Sequence, residues 1–361
     1  MKYRTATLLA SMSPGTSGTK VIDINVQDPI SRIDIMYTVK IASKSMAAQL
    51  AANIPKIELV DGSDVLFGMN GLEAQALNIY DRRCPSMNGI ERLMYCEQRS
   101  AYGIDFGRFL HDPLLAFDPA KFSNPQLKVS YDVDVSDTAA DEGELEVFAE
   151  CFDERVVSPI GFLMSKEVES LTLSSVAAYH YTDLPTDFPV RKMLLRGYTA
   201  GKEPWYQVIE AKLSEDNDKR IPFDWDLQDY FYLMQGIWRP VVESLVGYCH
   251  SVGEYVFYVT PTNYFVECIP VQAGGAPDYG VCVDSWQRGG QLAIHAEANS
   301  SFQAHIMGWL PNHCFEFPFG DPQDIDDWYD VTKVGSLQLR TREGGGGAGT
   351  QNVVLQQLRK Y

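Results

Sequence analysis

The strongest constraint on the fold is a local pattern that the sequence contains twice. Residues 56–77 predict a strand, a tight turn at Asp61-Gly62, a second strand and a helix. The turn separates two alternating apolar segments, and glycine accepts the positive φ that a hairpin turn requires. Residues 205–237 predict the same order of elements, with the polar turn Glu215–Asp218 in place of Asp61-Gly62. Two copies of one β-rich unit are therefore expected.

A second set of matching segments lies near the end of each copy. Leu127–Val135 and Glu144–Phe152 have the pattern of two alternating strands around a polar loop. Leu337–Arg342 and Gln351–Leu358 have the same pattern around a glycine-rich loop. Because the matched elements follow in the same order in both copies, duplication is favoured over a chance likeness of β patterns.

The second copy is longer than the first. The matched positions Leu72 and Leu227 lie 155 residues apart, whereas Gly107 and Gly320 lie 213 apart. The difference places about 58 additional residues within Gln235–Ser301. A jelly roll already has its strands from the matched segments, so this insertion is predicted to project as an outward tower or to clasp a neighbouring chain.

The insertion has strand patterns of its own, Glu254–Val259 and Asn263–Val271. Their apolar faces need cover from a neighbouring subunit or from a small separate core. Pairing of Glu254–Val259 within the main strands of the second copy would contradict both the tower and the repeat alignment.

The fold class follows from these segments. Most of them are short strand patterns bounded by Gly, Pro, Asn or Asp, and strands do not alternate with helices, which excludes a parallel sheet. We predict an all-β chain of two tandem eight-stranded jelly-roll β-sandwiches, with short helices and a large loop insertion in the second. The predicted division is a flexible N-terminal arm at 1–20, a first jelly roll at 21–170, a second at 171–361, and the insertion at 235–301.

Composition limits the partners and the compartment. The formal net charge of −18 argues against specific binding of nucleic acid, which requires clustered Lys and Arg. The apolar stretch Leu8–Ala10 is shorter than an export signal needs, so a mobile arm is the preferred interpretation of the N-terminus. The seven cysteines are odd in number and lack CxxC spacing, which is typical of free thiols in a reducing cytoplasm.

Residues that would form a metal or nucleotide site are poorly spaced. A metal-binding double jelly roll would need closely spaced histidines, but no His-x-His or His-x₃-His pair occurs. The glycine run Gly344–Gly347 and the segment Gly197–Glu203 both lack the pattern of a phosphate-binding loop. The histidines, interpreted as packed or surface residues, are His111, His180, His250, His295, His305 and His313.

Acidic residues are the remaining candidates for a site. Residues 321–330 carry five aspartates that could hold calcium, but they lack the EF-hand spacing, so a solvated acidic loop is favoured. Carboxylate pairs for glycoside hydrolysis stay open, since such pairs need only meet in space. The sequence therefore predicts no catalytic, cofactor-binding or metal-binding residues. The five aspartates are Asp321, Asp324, Asp326, Asp327 and Asp330.

Several segments together resemble the major capsid proteins of the double-jelly-roll lineage, which includes adenoviruses and tectiviruses. The likeness is strongest to those of small tailless, lipid-containing bacteriophages, and it spans about Val21 to Tyr361. The resembling segments are ISRIDIMYTVK (30–40), IPKIELVDGSDVLFGMNGLEAQALNIYD (54–81), RIPFD (220–224), SLQLRTR (336–342) and NVVLQQLRKY (352–361).

The resemblance implies a structural protein of the virion with no enzymatic activity. In that lineage three chains with two barrels each form a six-sided trimer that tiles an icosahedral shell. The implied partners are further copies in the homotrimer and in neighbouring capsomers, penton and minor capsid proteins, and an internal viral membrane. The implied location is the capsid, assembled in the host cytoplasm.

Two other classes remain open from the sequence alone. One is a secreted two-domain β-sandwich enzyme that acts on glycans. The other is a carbohydrate-binding or adhesive protein, although aromatic residues of β-sandwiches more often lie in the core because they bury so much area. The tryptophans that suggest it are Trp205, Trp225, Trp238, Trp286, Trp309 and Trp328.

Overall fold

Within the residues that the structure describes, the chain consists of strands, two α-helices and short 3₁₀ turns. The computed structural model describes residues 2–40, 48–85, 87–92, 96–136, 143–173, 177–249, 251–272, 282–284, 289–296, 300–345 and 347–361. The first strands are β1 (Tyr3–Gly15), β2 (Ser17–Asp23), β3 (Ile30–Lys40), β4 (Lys56–Asp61), β5 (Asp64–Met69), β6 (Glu91–Arg92), β7 (Glu97–Asp105), β8 (Pro125–Asp132) and β9 (Gly143–Phe152).

The remaining strands belong to the second sandwich and its insertion. They are β10 (Gly161–Leu173), β11 (Tyr179–Asp183), β12 (Val190–Tyr198), β13 (Val208–Glu215), β14 (Arg220–Asp226), β15 (Val241–Cys249), β16 (Gly253–Tyr258), β17 (Pro261–Gln272), β18 (Cys282–Asp284), β19 (Gln291–Ala296), β20 (Ser300–Pro311), β21 (Cys314–Pro318), β22 (Leu337–Glu343) and β23 (Gly349–Lys360). The helices are α1 (Gly71–Arg82) and α2 (Leu227–Gln235), and the 3₁₀ turns are Leu50–Asn53, Pro119–Lys121, Asp153–Arg155, Pro204–Tyr206, Ile325–Asp327 and Val331–Lys333.

The strand order is that of two jelly rolls in tandem, which confirms the predicted fold class. The first sandwich has sheets β1-β9-β3-β7 and β2-β8-β4-β5. The second repeats this order with β10-β23-β12-β21 and β11-β22-β13-β14. In each sandwich the helix lies between the fifth and sixth of the eight main strands, so the duplication predicted from the sequence is present throughout the topology.

The repeated hairpins form for different local reasons. Gly62, at φ +60°, closes the β4–β5 turn because glycine has no Cβ to oppose a left-handed backbone. The β13–β14 turn instead uses Asp216, Asn217 and Asp218, all at positive φ. Asp and Asn tolerate this region better than other side chains, since their short polar groups hydrogen-bond locally.

Helix α1 has well-defined ends. Asn70 Oδ1 accepts a hydrogen bond from the Glu73 backbone N–H, and the Glu73 side chain accepts one from the Asn70 N–H, which completes a capping box. Arg83 ends the helix in a left-handed conformation. Gly71 is required at the first helical position, because a Cβ there would lie 2.4 Å from the Ala51 carbonyl oxygen.

Alternating burial produces a separate core in each part of the molecule. Leu127 and Val129 of β8 face the first core, and Leu213 of β13 and Leu339 of β22 face the second. A third core belongs to the insertion and includes Phe302. Its other buried members are Leu245, Cys249, Tyr255, Phe257, Val259, Leu292, Ile294, Ala304 and Ile306.

The predicted flexible arm at residues 1–20 is wrong. Tyr3–Gly15 is β1, which pairs antiparallel with β9 at the edge of the first sandwich. Leu8 and Leu9 are only half-buried and are adjacent in sequence, and the register shifts between Thr7 and Leu9. These irregularities interrupt the alternation of apolar and polar residues by which a strand is recognised in a sequence. The strand β1 is instead held in place by its backbone pairing with β9.

Two predicted boundaries also differ from the structure. The division between 170 and 171 falls inside β10, whose pairing with β23 and place in the second sandwich put the junction between Phe152 and Gly161. The predicted end of the insertion at Ser301 falls inside β20, and the extra strands continue to Pro311. The strand β20 alternates like a sandwich strand, so the sequence alone does not mark it as part of the insertion.

The insertion forms its own two sheets, β17-β20-β15-β6 and β16-β19-β18. The predicted strand Glu254–Val259 corresponds to β16, which pairs with β19 outside the main sheets of the second sandwich. Its buried side chains, Tyr255 and Phe257, belong to the third core. The short strand β6 comes from the loop between α1 and β7, so the first sandwich also contributes to this structure.

Candidate functional site

The two sandwiches share one continuous sheet. Ser165 and Lys166 of β10 pair in parallel with Phe67 and Gly68 of β5, which joins two four-stranded sheets into one of eight strands. Phe162, near the start of β10, packs in the first core, whereas the end of the strand reaches the second. The relative orientation of the sandwiches is therefore fixed by backbone pairing and by shared packing.

Helix α1 of the first sandwich packs against the second sandwich and the insertion. The Tyr80 hydroxyl donates to the Cys314 carbonyl at 2.7 Å, and Asn312 Nδ2 donates to the Leu72 carbonyl at 2.9 Å. Gln49 Nε2 donates to Thr260 Oγ1 of the insertion at 3.2 Å. These contacts connect all three parts of the molecule around one helix.

A buried cluster of charges lies at the end of α1. Asp81 Oδ1 is 2.7 Å from Arg191 Nη1 and 2.8 Å from Lys192 Nζ, and both cations come from β12. Lys192 also pairs with Glu316 of β21, and Gln356 Nε2 donates to Asp81. Burial alone would raise the pKa of Asp81, but the charges of Arg191 and Lys192 hold that pKa well below its usual value.

A second polar cluster surrounds the beginning of α1. Burial, together with the neighbouring Glu167 carboxylate of β10, raises the pKa of Glu73 to about 8, although Arg196 opposes the shift. Asn352 Nδ2 donates to Glu167 at 2.8 Å. Glu73 therefore keeps its proton to a higher pH than an ordinary glutamate, and in its protonated form it can donate to the Glu167 carboxylate.

A cavity of about 200 Å³ opens beside the buried charges. It lies between the end of α1, the end of α2 and the two ends of the insertion, at Trp238–Val241 and Trp309–Pro311. Apolar and aromatic side chains form most of its wall. Among them are Ile79, Tyr80, Met234, Ile237, Trp238 and Trp309.

The outer face of the insertion carries exposed apolar side chains. Phe265 of β17 and Val242 of β15 both lie opposite Met307 of β20, so the three form one row across the sheet. Their exposed fractions are 67%, 47% and 44% for Phe265, Val242 and Met307. An exposed row of this kind is a common feature of protein interfaces.

The five histidines that the structure describes each have different neighbours. His180 contacts Glu343 at 2.7 Å, His305 contacts Ser244 at 2.9 Å, and His313 is buried beside Tyr198. Burial, and to a lesser extent Arg196, lowers the pKa of His313 to about 3. His111 stacks on Tyr3 and His295 lies near Glu254, while His250 is outside the described residues.

The predicted acidic loop uses its carboxylates within its own turns. Asp327 Oδ2 accepts from the Asp321 N–H at 2.7 Å, and Asp324 accepts from the Asp326 N–H at 3.1 Å. Asp330 pairs with Lys333. Within the part of the chain that the structure describes, no group of three or more His, Cys, Asp or Glu residues is arranged to hold a metal ion.

The tryptophans pack within the protein. Trp205 and Trp328 are buried, and Trp225, Trp238 and Trp309 are half-buried against the second core, while Trp286 is outside the described residues. Six cysteines with described side chains are free thiols. No helix among the described residues is long and apolar enough to cross a membrane.

Comparison of the whole chain with solved structures identifies its architecture. The major capsid protein of bacteriophage PM2 matches with a TM-score of 0.56 and 9% identity, over 99% of this chain and 98% of that chain. This chain is a double jelly roll. The PBCV-1 virus capsid matches this double jelly roll with a TM-score of 0.58 and 10% identity, over 99% of this chain and 93% of that chain.

A third match comes from the structure of Sulfolobus Turreted Icosahedral Virus. Its TM-score is 0.58 and its identity 9%, over 100% of this double jelly roll and 92% of that chain. No family model matches the sequence, and no curated protein matches it. At 9–10% identity, the likeness establishes the shared fold.

Sequence reasoning placed strands at the junction but missed what joins them. The segment Val190–Tyr198 forms β12, and its three cations lie where the sandwiches meet. Arg191, Lys192 and Arg196 are all buried in an otherwise apolar segment. Buried charges are costly unless they are paired, so three cations within a buried strand were the available indication of a polar junction.

Proposed function

We propose that this chain is the major capsid protein of an icosahedral virus. The observation that carries the proposal is the end-to-end match of both jelly rolls to viral capsid proteins. A shell protein needs a rigid building block with a defined shape. The β5–β10 pairing and the buried ion cluster both support rigidity, because they leave the sandwiches little freedom to rotate.

The proposed assembly unit is a homotrimer. Three chains with two upright barrels each give six lobes, and a six-lobed unit can tile a near-hexagonal lattice. The exposed row of Phe265, Met307 and Val242 supports contact between copies through the insertion. Obligate interfaces of this kind commonly bury more than about 2,000 Å².

The remaining parts of the proposal concern its place in the virus. Neighbouring capsomers, penton proteins and minor capsid proteins are the partners that a closed shell requires, and an internal viral membrane is a further proposed neighbour. The chain would be assembled in the host cytoplasm and reside in the virion. We propose no catalytic role, no cofactor and no specific contact with nucleic acid.

The alternative of a glycan-binding protein has little support from the aromatic residues. The five tryptophans within the described residues are buried or half-buried against hydrophobic cores, so they do not form an exposed aromatic surface on which a sugar ring could stack. Glycan-array binding by the purified protein would separate this alternative from a shell protein, which is expected to give no reproducible glycan signal.

Light scattering and electron microscopy of the purified protein test the proposal. We expect a stable particle of three 40.5-kDa chains with a six-sided outline at micromolar concentration. A monomer of 40.5 kDa, together with an absence of shell particles in the source material, would contradict it. Reproducible turnover of a glycan, abolished by one carboxylate substitution, would also overturn the structural role.

A further inference from the structure

The cavity beside the ion cluster has a concentration of positive charge that is unusual in this acidic chain. Its wall includes four cationic and two anionic side chains, an excess of two positive charges, whereas the whole chain has a net charge of −18. The buried cations Arg191 and Lys192 are paired with Asp81 and Glu316. The excess therefore belongs to the other two cations of the wall, Arg83 and Arg239.

Arg83 and Arg239 come from different parts of the molecule. Arg83 follows α1, and Arg239 lies where the chain leaves α2 for the insertion. Both are exposed, and neither forms an ion pair or a side-chain hydrogen bond with any residue that the structure describes. Two unpaired guanidinium groups beside one cavity are suited to an anionic group, because each presents several N–H donors to its oxygens.

A buried donor in the same wall also lacks a partner among the described residues. The Trp238 indole N–H is buried and forms no hydrogen bond with any of them. The Trp238 ring lies between the rings of Tyr80 and Tyr230, at centroid distances of 5.6 and 5.8 Å. The Trp238 backbone carbonyl accepts a hydrogen bond from Trp309 Nε1. A buried donor without an acceptor costs free energy, so a ligand acceptor that reached this N–H on binding would relieve that cost.

The size and lining of the cavity define the rest of the ligand. An engineered apolar cavity of about 150 Å³ is known to hold benzene. The cavity here, at about 200 Å³, has room for one ring and a short chain. Its aromatic and aliphatic wall is suited to that ring, while the arginines are suited to a charge at one end.

We propose that this cavity binds a small aryl carboxylate, with the ring among Trp238, Trp309 and Met234 and the carboxylate toward Arg83 and Arg239. The ligand would contact both sandwiches and the base of the insertion, so binding would stabilise the junction of all three. This inference does not depend on the role of the chain in a virus.

Calorimetry on the full-length protein with 3-phenylpropionate tests the proposal, and 3-phenylpropanamide is the neutral matched ligand. We expect one saturable site per chain for the acid, with a dissociation constant of about 1 mM or tighter. The amide should bind at least about tenfold more weakly, because it lacks the charge. The acid should also raise the unfolding temperature in proportion to its occupancy.

Two variants locate the site. The double substitution Arg83→Gln/Arg239→Gln should weaken binding of the acid at least about tenfold, since it removes both charges from surface positions. Trp238→Phe keeps a ring but removes the indole N–H, and should weaken binding several-fold. Arg99→Gln is the matched control, because Arg99 is exposed and does not line this cavity.

Three results would overturn the proposal. The first is that the acid shows no saturable binding at concentrations up to about ten times the expected dissociation constant. The second is that the acid and the amide bind with equal affinity. The third is that the double arginine variant binds the acid as tightly as wild type. The arginine variant keeps the test decisive even if Trp238→Phe fails to fold, because both arginines are exposed and without partners among the described residues.

Discussion

Asp81 of the first sandwich and Arg191 of the second form a buried ion pair at 2.7 Å, and Lys192 lies 2.8 Å from the same carboxylate oxygen. This contact joins the end of α1 to β12, and its two residues lie 110 positions apart in the chain. Because both cations come from one sandwich and their shared carboxylate comes from the other, the cluster acts between the sandwiches.

The substitution Asp81→Asn should destabilise the protein strongly. It leaves Arg191 without its carboxylate and Lys192 with Glu316 alone, and removing one partner of a buried ion pair typically costs about 3–5 kcal/mol. Urea unfolding followed by circular dichroism measures the change. The exposed pair of Glu97 and Arg99 provides the control, and Glu97→Gln should leave the unfolding midpoint nearly unchanged. Equal midpoints for the two variants would show that the Asp81 cluster does not hold the junction.

The sequence predicts each sandwich better than it predicts their junction. The segments around Leu127 and Leu337 are recognisable in the sequence because apolar and polar residues alternate along each of them, in step with the alternating burial of β8 and β22. The pairing of Ser165 with Phe67 has no comparable pattern, since it joins distant segments over two residue pairs. Pairing of this kind depends on how two finished sandwiches meet, which local periodicity does not encode.

The sequence does not mark the end of the insertion, for a related reason. Phe302, Ala304 and Ile306 alternate with more exposed residues in the same way as a sandwich strand. They face the third core of the insertion, which exists only after distant strands have come together. Alternation identifies β20 as a strand, but it does not indicate which of two β cores that strand completes.

Glu73→Gln should change the pH dependence of stability on the alkaline side. The pKa of Glu73 is raised by burial and by Glu167 to about 8, above its ordinary value of 4.5. Between these values the folded state binds a proton that the unfolded state has lost, so wild-type stability falls as the pH rises. The loss should approach about 1.4 kcal/mol per pH unit in that window.

Glutamine at position 73 keeps the shape of the protonated acid and can still donate to Glu167. The stability of Glu73→Gln relative to wild type should therefore rise from pH 5 to pH 8, measured by urea unfolding at each pH. Glu97→Gln, at an exposed position, is the control and should show no such trend. A constant difference between Glu73→Gln and wild type across this range would refute the assignment of a protonated Glu73.

His313→Asn should change the acid side of the same profile. Burial and Arg196 lower the pKa of His313 to about 3, below its ordinary value of 6.5. Between these values the unfolded state binds a proton that the folded state excludes. Wild-type stability is therefore complete above about pH 6.5 and falls toward acid pH at up to about 1.4 kcal/mol per unit.

Asparagine suits this position because the backbone of residue 313 has φ +67°, which asparagine tolerates. The variant should lose stability less steeply than wild type between pH 6 and pH 4 in thermal unfolding. His295→Asn is the control, since His295 is largely exposed. Parallel profiles for wild type and His313→Asn would mean that His313 is not the group that titrates.

The last prediction concerns self-association through the insertion. The double substitution Phe265→Thr/Met307→Thr should weaken the proposed trimer while leaving each chain folded. Both side chains are exposed and lie opposite each other on neighbouring strands, so they contribute little to the third core but form the centre of an apolar row. Threonine has high strand propensity, which keeps β17 and β20 paired. Loss of two central apolar contacts should weaken association at least about tenfold.

Sedimentation equilibrium measures the association, and circular dichroism reports whether the fold is retained. Val21→Thr provides the matched control, because Val21 is 48% exposed on β2 in the first sandwich, outside the insertion. We expect the control to associate like wild type and the double variant to shift toward monomer at micromolar concentration. If the double variant remains fully trimeric at the lowest measurable concentration, the copies meet through another surface. Since Phe265 is among the most exposed apolar side chains of the described residues, at 67%, its row is the part of the insertion most in need of cover.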